Sequence, residues 1–149
     1  MNISAIVPRH PCSSERGPKR VVLVVEDEPF VREATSRILQ SAGFEVLAAA
    51  DATEAIELFE QSTRQLDLLI SDLVLPGRSG RQLGEDIHRR SPGVPILLTS
   101  GYLEIDCSTD SPAAHTYFLQ KPYSKSDLLI KIKAILDAVP QQRAARQAG

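Results

Sequence analysis

Glu26 and Asp27 stand side by side directly after the apolar run Val21–Val25, and Asp72 follows a second run, Asp67–Ser71. Thr99, Ser100 and Gly101 end a third run, and Lys121–Pro122 follow a fourth. Taken singly, an acidic residue after a strand is more often a helix cap than a nucleophile. Taken together, the set describes one kind of chemistry. Carboxylates held within a few ångströms raise one another's pKa and call for a proton or a cation. A hard divalent cation answers that need. Mg2+ takes one or two carboxylates together with waters and phosphate oxygens, and Mn2+ is the alternative. Lys121 adds a compact positive charge. Aspartate is a competent nucleophile toward phosphorus, giving an acyl phosphate. Ser100 could hydrogen-bond a phosphoryl oxygen, with Gly101 leaving room for it. The combination suits a phosphoryl group better than a sugar or a peptide. Asp72 is the best nucleophile because it stands alone after a central strand, facing the acidic pair.

For these groups to meet, the chain must bring the ends of its apolar runs to one edge. Val21–Val25 is a continuous β-branched run, as in a strand buried on both faces. Phe44–Ala48, Asp67–Ser71, Val94–Thr99 and Thr116–Leu119 are four more strand candidates. Helical patterns separate them. Pro29 opens a helix with Val31, Ala34, Ile38 and Ala42 on one face, stopped by Gly43. Asp51 and Glu54 form an acidic capping box before Ala52, Ala55, Ile56 and Phe59. Ser79 caps a helix carrying Leu83 and Ile87, ended by Ser91–Pro92. Ser124 and Asp127 cap the last helix, with Leu128, Leu129, Ile132, Ile135, Leu136 and Val139 in one stripe. Between Thr99 and Thr116 the alternation requires a further helix. Cys107–Pro112 is poor helix material, so this one is expected to be short, irregular or mobile. Strands alternating with helices predict an α/β fold, a five-stranded parallel sheet with helices on both faces. In such sheets, functional groups gather beyond the carboxyl ends of the strands. The end of the second strand, Ala48–Ala50, brings no chemistry there.

The chain has 149 residues, 42% of them hydrophobic, and a formal charge of −2. That near-balance excludes a polycationic nucleic-acid binder and an acidic disordered chain. No apolar run approaches the roughly 20 residues needed to span a membrane, and no signal-like apolar segment opens the chain. The charge is uneven. Arg9, Arg16, Lys19 and Arg20 face only Glu15 near the start, and Arg143 and Arg146 lie near the end, around an acidic body. Residues 1–19 read as a flexible leader, 20–139 as the folded domain and 140–149 as a flexible tail. Cys12 and Cys107 show no ligand or disulfide pattern, and His10, His88 and His115 have no partners at metal or catalytic spacing. There is no phosphate-binding G-x-x-x-x-G-K loop and no nucleophile elbow.

The segments VVLVVEDEP, LLISDLVLPGRSG, PILLTSGY and FLQKPYS resemble, in order and spacing, the four signature blocks of response-regulator receiver domains of two-component signalling. The likeness covers residues 19–139. It implies strand order 2-1-3-4-5 and a stand-alone, chemotaxis-receiver-like response regulator in the cytoplasm. It also implies roles for single residues. Asp72 matches the phosphoacceptor. Glu26 and Asp27 match the acidic Mg2+ pair, and the backbone carbonyl of Val74 matches the third protein ligand. Ser100 and Lys121 match the hydroxyl and ammonium that contact the phosphoryl group, and the family pattern favours Ser100 over Thr99 because a small residue follows it. Phe118 matches the aromatic switch, turning inward on phosphorylation. Val74 and Tyr102 occupy the positions that tune phosphoryl lifetime, and their apolar chain and ring predict slow self-dephosphorylation. The bond before Pro122 is cis in the family. The implied donor is a sensor histidine kinase or a histidine phosphotransfer protein, and the output passes to a downstream protein, a relay or a homodimer. Neither nucleic acid nor membrane is expected as a partner. A D-x-D phosphohydrolase is disfavoured because Val74 stands where its second aspartate would be. The weak helix before Thr116 puts the family's usual partner face in doubt.

Overall fold

The computed structural model describes residues 19–101 and 110–139. The leader up to residue 18, the C-terminal tail, Tyr102 and half of the weak helical segment Cys107–Pro112 lie outside them. Five strands form one parallel sheet: β1 Val21–Val25, β2 Glu45–Ala49, β3 Leu68–Asp72, β4 Ile96–Ser100 and β5 Thr116–Gln120. Their order is β2-β1-β3-β4-β5, as the family resemblance implies. Among the described residues there are four α-helices: α1 Pro29–Ser41, α2 Ala52–Gln61, α3 Gly80–Arg90 and α4 Lys125–Asp137. A single 3-10 turn, Pro112–Ala114, precedes β5.

The alternation of β1 shows how both faces are covered. Successive strand side chains point to opposite faces. Val21, Leu23 and Val25 pack in one core with Ala52 and Ala55 of α2 and Leu83 and Ile87 of α3. Val22 and Val24 pack in the other with Leu39 of α1 and Leu128, Ile132 and Ile135 of α4. β1, flanked on both edges, therefore has no polar residue, whereas the outer strand β2 exposes Glu45 and Ala48.

Several boundaries and one face differ from the sequence reading. In α1 the buried residues are Thr35 and Leu39; Ala34 and Ala42 are exposed, and Val31 and Ile38 are only half-buried. Helical spacing fits either stripe, and Leu39 reaches the core while a hydrogen bond lets Thr35 be buried with it. The second, third and fourth strands begin later than expected. Asp67 does not join β3. Its carboxylate accepts a 2.8 Å bond from the Val21 amide, tying the two chain segments together before the ladder begins. Pro95 cannot donate to a ladder, and β4 starts at Ile96.

The caps are local and strong. Ser79 with Gln82, and Ser124 with Asp127, form reciprocal capping boxes. Asp51 accepts from the Glu54 amide, but Glu54 reaches back to the Ala50 amide, one residue before the cap.

Gly80 is fixed by a close approach. Its amide donates to the Leu73 carbonyl at 2.8 Å, and an added Cβ would lie 2.3 Å from the Asp72 carbonyl oxygen. Gly84, one turn on, faces a softer neighbour, with a Cβ contact of 3.3 Å to Ile96 Cγ2. Gly80→Ala should lower stability by about 1–3 kcal/mol in urea unfolding, an overpacking cost. Gly84→Ala should cost less, because a side chain yields more readily than a carbonyl. Equal costs would contradict this account.

Candidate functional site

The parallel register assembles the site. Val25 lies opposite Ser71, so Glu26, one residue on, faces the end of β3 where Asp72 sits. Asp72 lies opposite Thr99, and Ser100 opposite Gln120, which places Lys121 just beyond the end of β4. The Lys121 amide donates to the Ser100 carbonyl at 2.7 Å, and the Leu73 amide to the Thr99 carbonyl at 2.7 Å. Three strand ends are thus joined by backbone bonds around one mouth.

Lys121 is the hinge of the charge arrangement. Its Nζ donates to Glu26 Oε1 at 2.8 Å and to Asp72 Oδ2 at 3.1 Å. Glu26 Oε2 accepts from the Glu28 amide at 3.2 Å, and Asp72 Oδ1 accepts from the Val74 amide at 3.3 Å. Arg32 of α1 donates to the Glu26 carbonyl at 2.7 Å and steadies the loop that carries the pair. Glu26 is buried, Asp72 half-buried and Asp27 exposed, so the acidic group opens to solvent on Asp27's side.

Carboxylate oxygens of Glu26, Asp27 and Asp72 come within 4.8 Å of one another. At an effective dielectric near 20, unit charges at that spacing repel by about 3.5 kcal/mol. One lysine against three carboxylates leaves negative charge in excess. The donor set is all hard oxygen, which fits Mg2+ or Mn2+ and not a soft metal.

The titration directions agree. Burial pushes the Glu26 carboxyl above its ordinary 4.5, against the opposing pull of the Lys121 bond. Burial alone would lower Lys121, but its bonds to Glu26 and Asp72 outweigh that and hold it above its ordinary 10.5. Lys121 therefore contributes stability that is full below 10.5 and fades as pH rises through its higher folded value. The Glu26 contribution is full below 4.5 and is lost as pH rises through its folded value. Once ionised, the buried Glu26 is a standing cost, and a bound cation would relieve it.

Ser100 is buried at this edge and shares the sheet face of Leu98 and Phe118. Thr99, equally buried, points to the opposite face by alternation. Val74 is exposed beside Asp72. The Lys121–Pro122 peptide is cis. Phe118 departs from the expectation of a ring that turns inward only later: it is already buried in the core of the α2–α3 face. Its position in β5 alternates inward, beside Leu98.

The roles of some contributors were not read from the sequence. Arg32 and Gly80 act on backbone carbonyls six to eight residues away, and the Thr35–Tyr123 pair joins segments far apart in the chain. Tyr123 Oη and Thr35 Oγ1 lie 2.9 Å apart, joining α1 to the loop that follows Lys121. Burial raises the Tyr123 pKa above 10.0, and the phenol stays protonated.

The family model of the response regulator receiver domain matches residues 22–133. The chain belongs to that family. Receiver domains are phosphoacceptor signalling domains that take phosphate from histidine kinases and bind Mg2+ at an acidic pocket. The chain is 36% identical over 117 residues to sensor kinase CckA of Brucella abortus, covering 78% of this chain and 12% of the kinase. It spans about half the length of other curated relatives that it matches. Among solved structures, the chemotaxis response regulator CheY4 of Vibrio cholerae superposes with a TM-score of 0.71 at 28% identity, over 80% of this chain and 100% of that one. The response regulator TrrA of Thermotoga maritima, in complex with Mg2+–BeF, superposes with a TM-score of 0.67 at 31% identity, over 78% of this receiver and 99% of that chain. No described helix of this receiver is long and apolar enough to cross a membrane.

Two outcomes test this geometry. Tyr123→Phe should destabilise the receiver by about 1–3 kcal/mol by stranding the buried Thr35 hydroxyl. Adding Thr35→Val should recover part of that loss in the same unfolding assay. Mg2+ at ten times its Kd should stabilise the fold by about 1.4 kcal/mol. The rise in Tm should be larger at pH 7 than at pH 5 and absent in Asp27→Asn. A pH-independent rise retained in that variant would place the ion elsewhere.

Proposed function

We propose that this chain is a response regulator that accepts a phosphoryl group on Asp72 and passes the change to a partner. The observation that carries this reading is Lys121 Nζ, bonded at once to Asp72 and to Glu26 of the acidic group. An ammonium so placed holds one Asp72 oxygen and stands ready to pair with a phosphoryl oxygen. The phosphoryl donor is a phosphohistidine on a sensor kinase or a phosphotransfer protein. An Asp72 carboxylate oxygen forms the new bond to phosphorus as the P–N bond breaks, and the electron pair leaves on the imidazole. Glu26, Asp27, Asp72 and the Val74 carbonyl would hold Mg2+, which supplies charge neutralisation for the incoming group. Ser100 then hydrogen-bonds the attached phosphoryl oxygens, and Phe118 on the same sheet face reports its movement. The equilibrium between arrangements exists beforehand, and phosphorylation biases it.

The reading extends to a cytoplasmic regulator whose output goes to a downstream protein, a relay or a second copy of the chain. Val74 sits exposed beside Asp72 and offers no polar atom from its side chain to order an attacking water, which supports slow self-dephosphorylation. It also leaves empty the general-acid position of a D-x-D phosphohydrolase.

Incubated with Mg2+ and acetyl phosphate, the intact protein should gain one phosphoryl group by mass, and Asp72→Asn should gain none. Lys121→Met should lose most of the uptake. After removal of donor, the adduct should outlast several minutes. An adduct retained by Asp72→Asn, or none in the unmodified chain, would sink the assignment, and decay within seconds would sink the lifetime claim.

A further inference from the structure

Phe118 is held from three sides. In register it lies beside Leu98, and Ser100 is two residues further along the same face. At the outer edge of β5, Asp110 Oδ1 accepts the Phe118 amide at 2.8 Å, and Lys131 Nζ of α4 holds Asp110 Oδ2 at 2.6 Å. The strand backbone is thereby pinned, and the freedom that remains belongs to the ring. Over that ring stands Arg81 of α3, with its Cζ 5.1 Å from the centroid. That is inside the range in which a guanidinium is attracted to an aromatic face.

The packing of α3 explains the reach. Gly84 lets the helix press onto Ile96 of β4. Arg81, one turn earlier, lines a groove with Leu98 and Thr116, and its guanidinium reaches the Phe118 ring of β5. Phe118 beneath it is 9% exposed.

We infer that Arg81 is a positioning residue for the phosphoryl switch: its guanidinium latches the Phe118 ring inward and sets the ring's resting equilibrium before phosphorylation. This rests on the reading of Phe118 as the switch. A ring already held inward starts the chain close to its phosphorylated arrangement. By linkage, if phosphorylation favours the inward ring, the inward ring favours phosphorylation by the same factor.

The full chain labelled with 4-fluorophenylalanine has four ring signals, from Phe30, Phe44, Phe59 and Phe118. Phe118→Leu assigns the last. The change in 19F shift between H2O and D2O reads ring exposure, and Phe30, 83% exposed, is the internal standard. The Phe118 isotope shift should be small in the unmodified chain. In Arg81→Gln it should grow, as the inward-to-outward ratio falls roughly 2- to 30-fold. Arg81→Lys should lie between, because the ammonium keeps the charge and loses the planar stack. Should Arg81→Gln melt early, Arg81→Met keeps the stem without the charge and gives the same readout. An unchanged isotope shift in the folded variants overturns the latch. Phosphoryl uptake by the unmodified chain is measured separately by intact mass. Its absence defeats the phosphoacceptor reading whatever the ring does, while uptake with unchanged ring exposure defeats the latch alone.

Discussion

The shared ammonium of Lys121 is the interaction on which the site depends. Glu26 follows β1, Asp72 ends β3 and Lys121 follows β5, so no two of the three are close in sequence. Each carboxylate would be costly at that edge alone, and the lysine would be costly if it were buried without them. Together they tie β1 and β3 to the outer strand β5 at the end where chemistry happens. The remaining excess of negative charge keeps the site receptive to a hard cation. The same balance that stabilises the resting fold thus prepares it for a ligand.

Around that charge cluster the fold supplies rigidity from two directions. Below it, β1 is buried throughout, and its side chains alternate between the two cores. Beside it, the turn from β3 into α3 is closed by the Gly80 amide on the Leu73 carbonyl, with no room for a side chain at Gly80. The cap of α3 at Ser79 completes the turn. Asp72 is therefore held by the backbone geometry on both sides of it, and its carboxylate is aimed by Val74 and Lys121. On the far side, the Thr35–Tyr123 bond fixes the segment after Lys121 against α1.

The acidic body noted in the sequence acquires a physical meaning in this arrangement. Glu26, Asp27 and Asp72 concentrate part of it at one mouth. Other charges pair on the surface, as Arg37 does with Glu33 and Lys133 with Asp137, where such pairs contribute little to stability. Asp110 is different. Its carboxylate closes part of the free edge of β5, where Phe118 would otherwise present an unpaired amide.

Chain order and local chemistry were sufficient to determine the elements of this protein. The β-branched run of β1, the capping residues Ser79 and Ser124, and the apolar stripe of Leu128, Ile132 and Ile135 all act over a few residues, and their signals are written where they act. The five groups at the strand ends were legible for the same reason, since a parallel sheet must gather its carboxyl ends along one edge. What required the tertiary structure was every choice between near-equivalent local options. Helical spacing in α1 admitted two stripes, and the Tyr123 hydroxyl decided for Thr35 and Leu39. Asp67 looked like the start of a strand until its carboxylate met Val21. Phe118 could face either way as a residue type, and the register of β5 on β4 places it inward beside Leu98, under Arg81. Local sequence sets which elements form; contacts between segments far apart in the chain set which of their atoms meet.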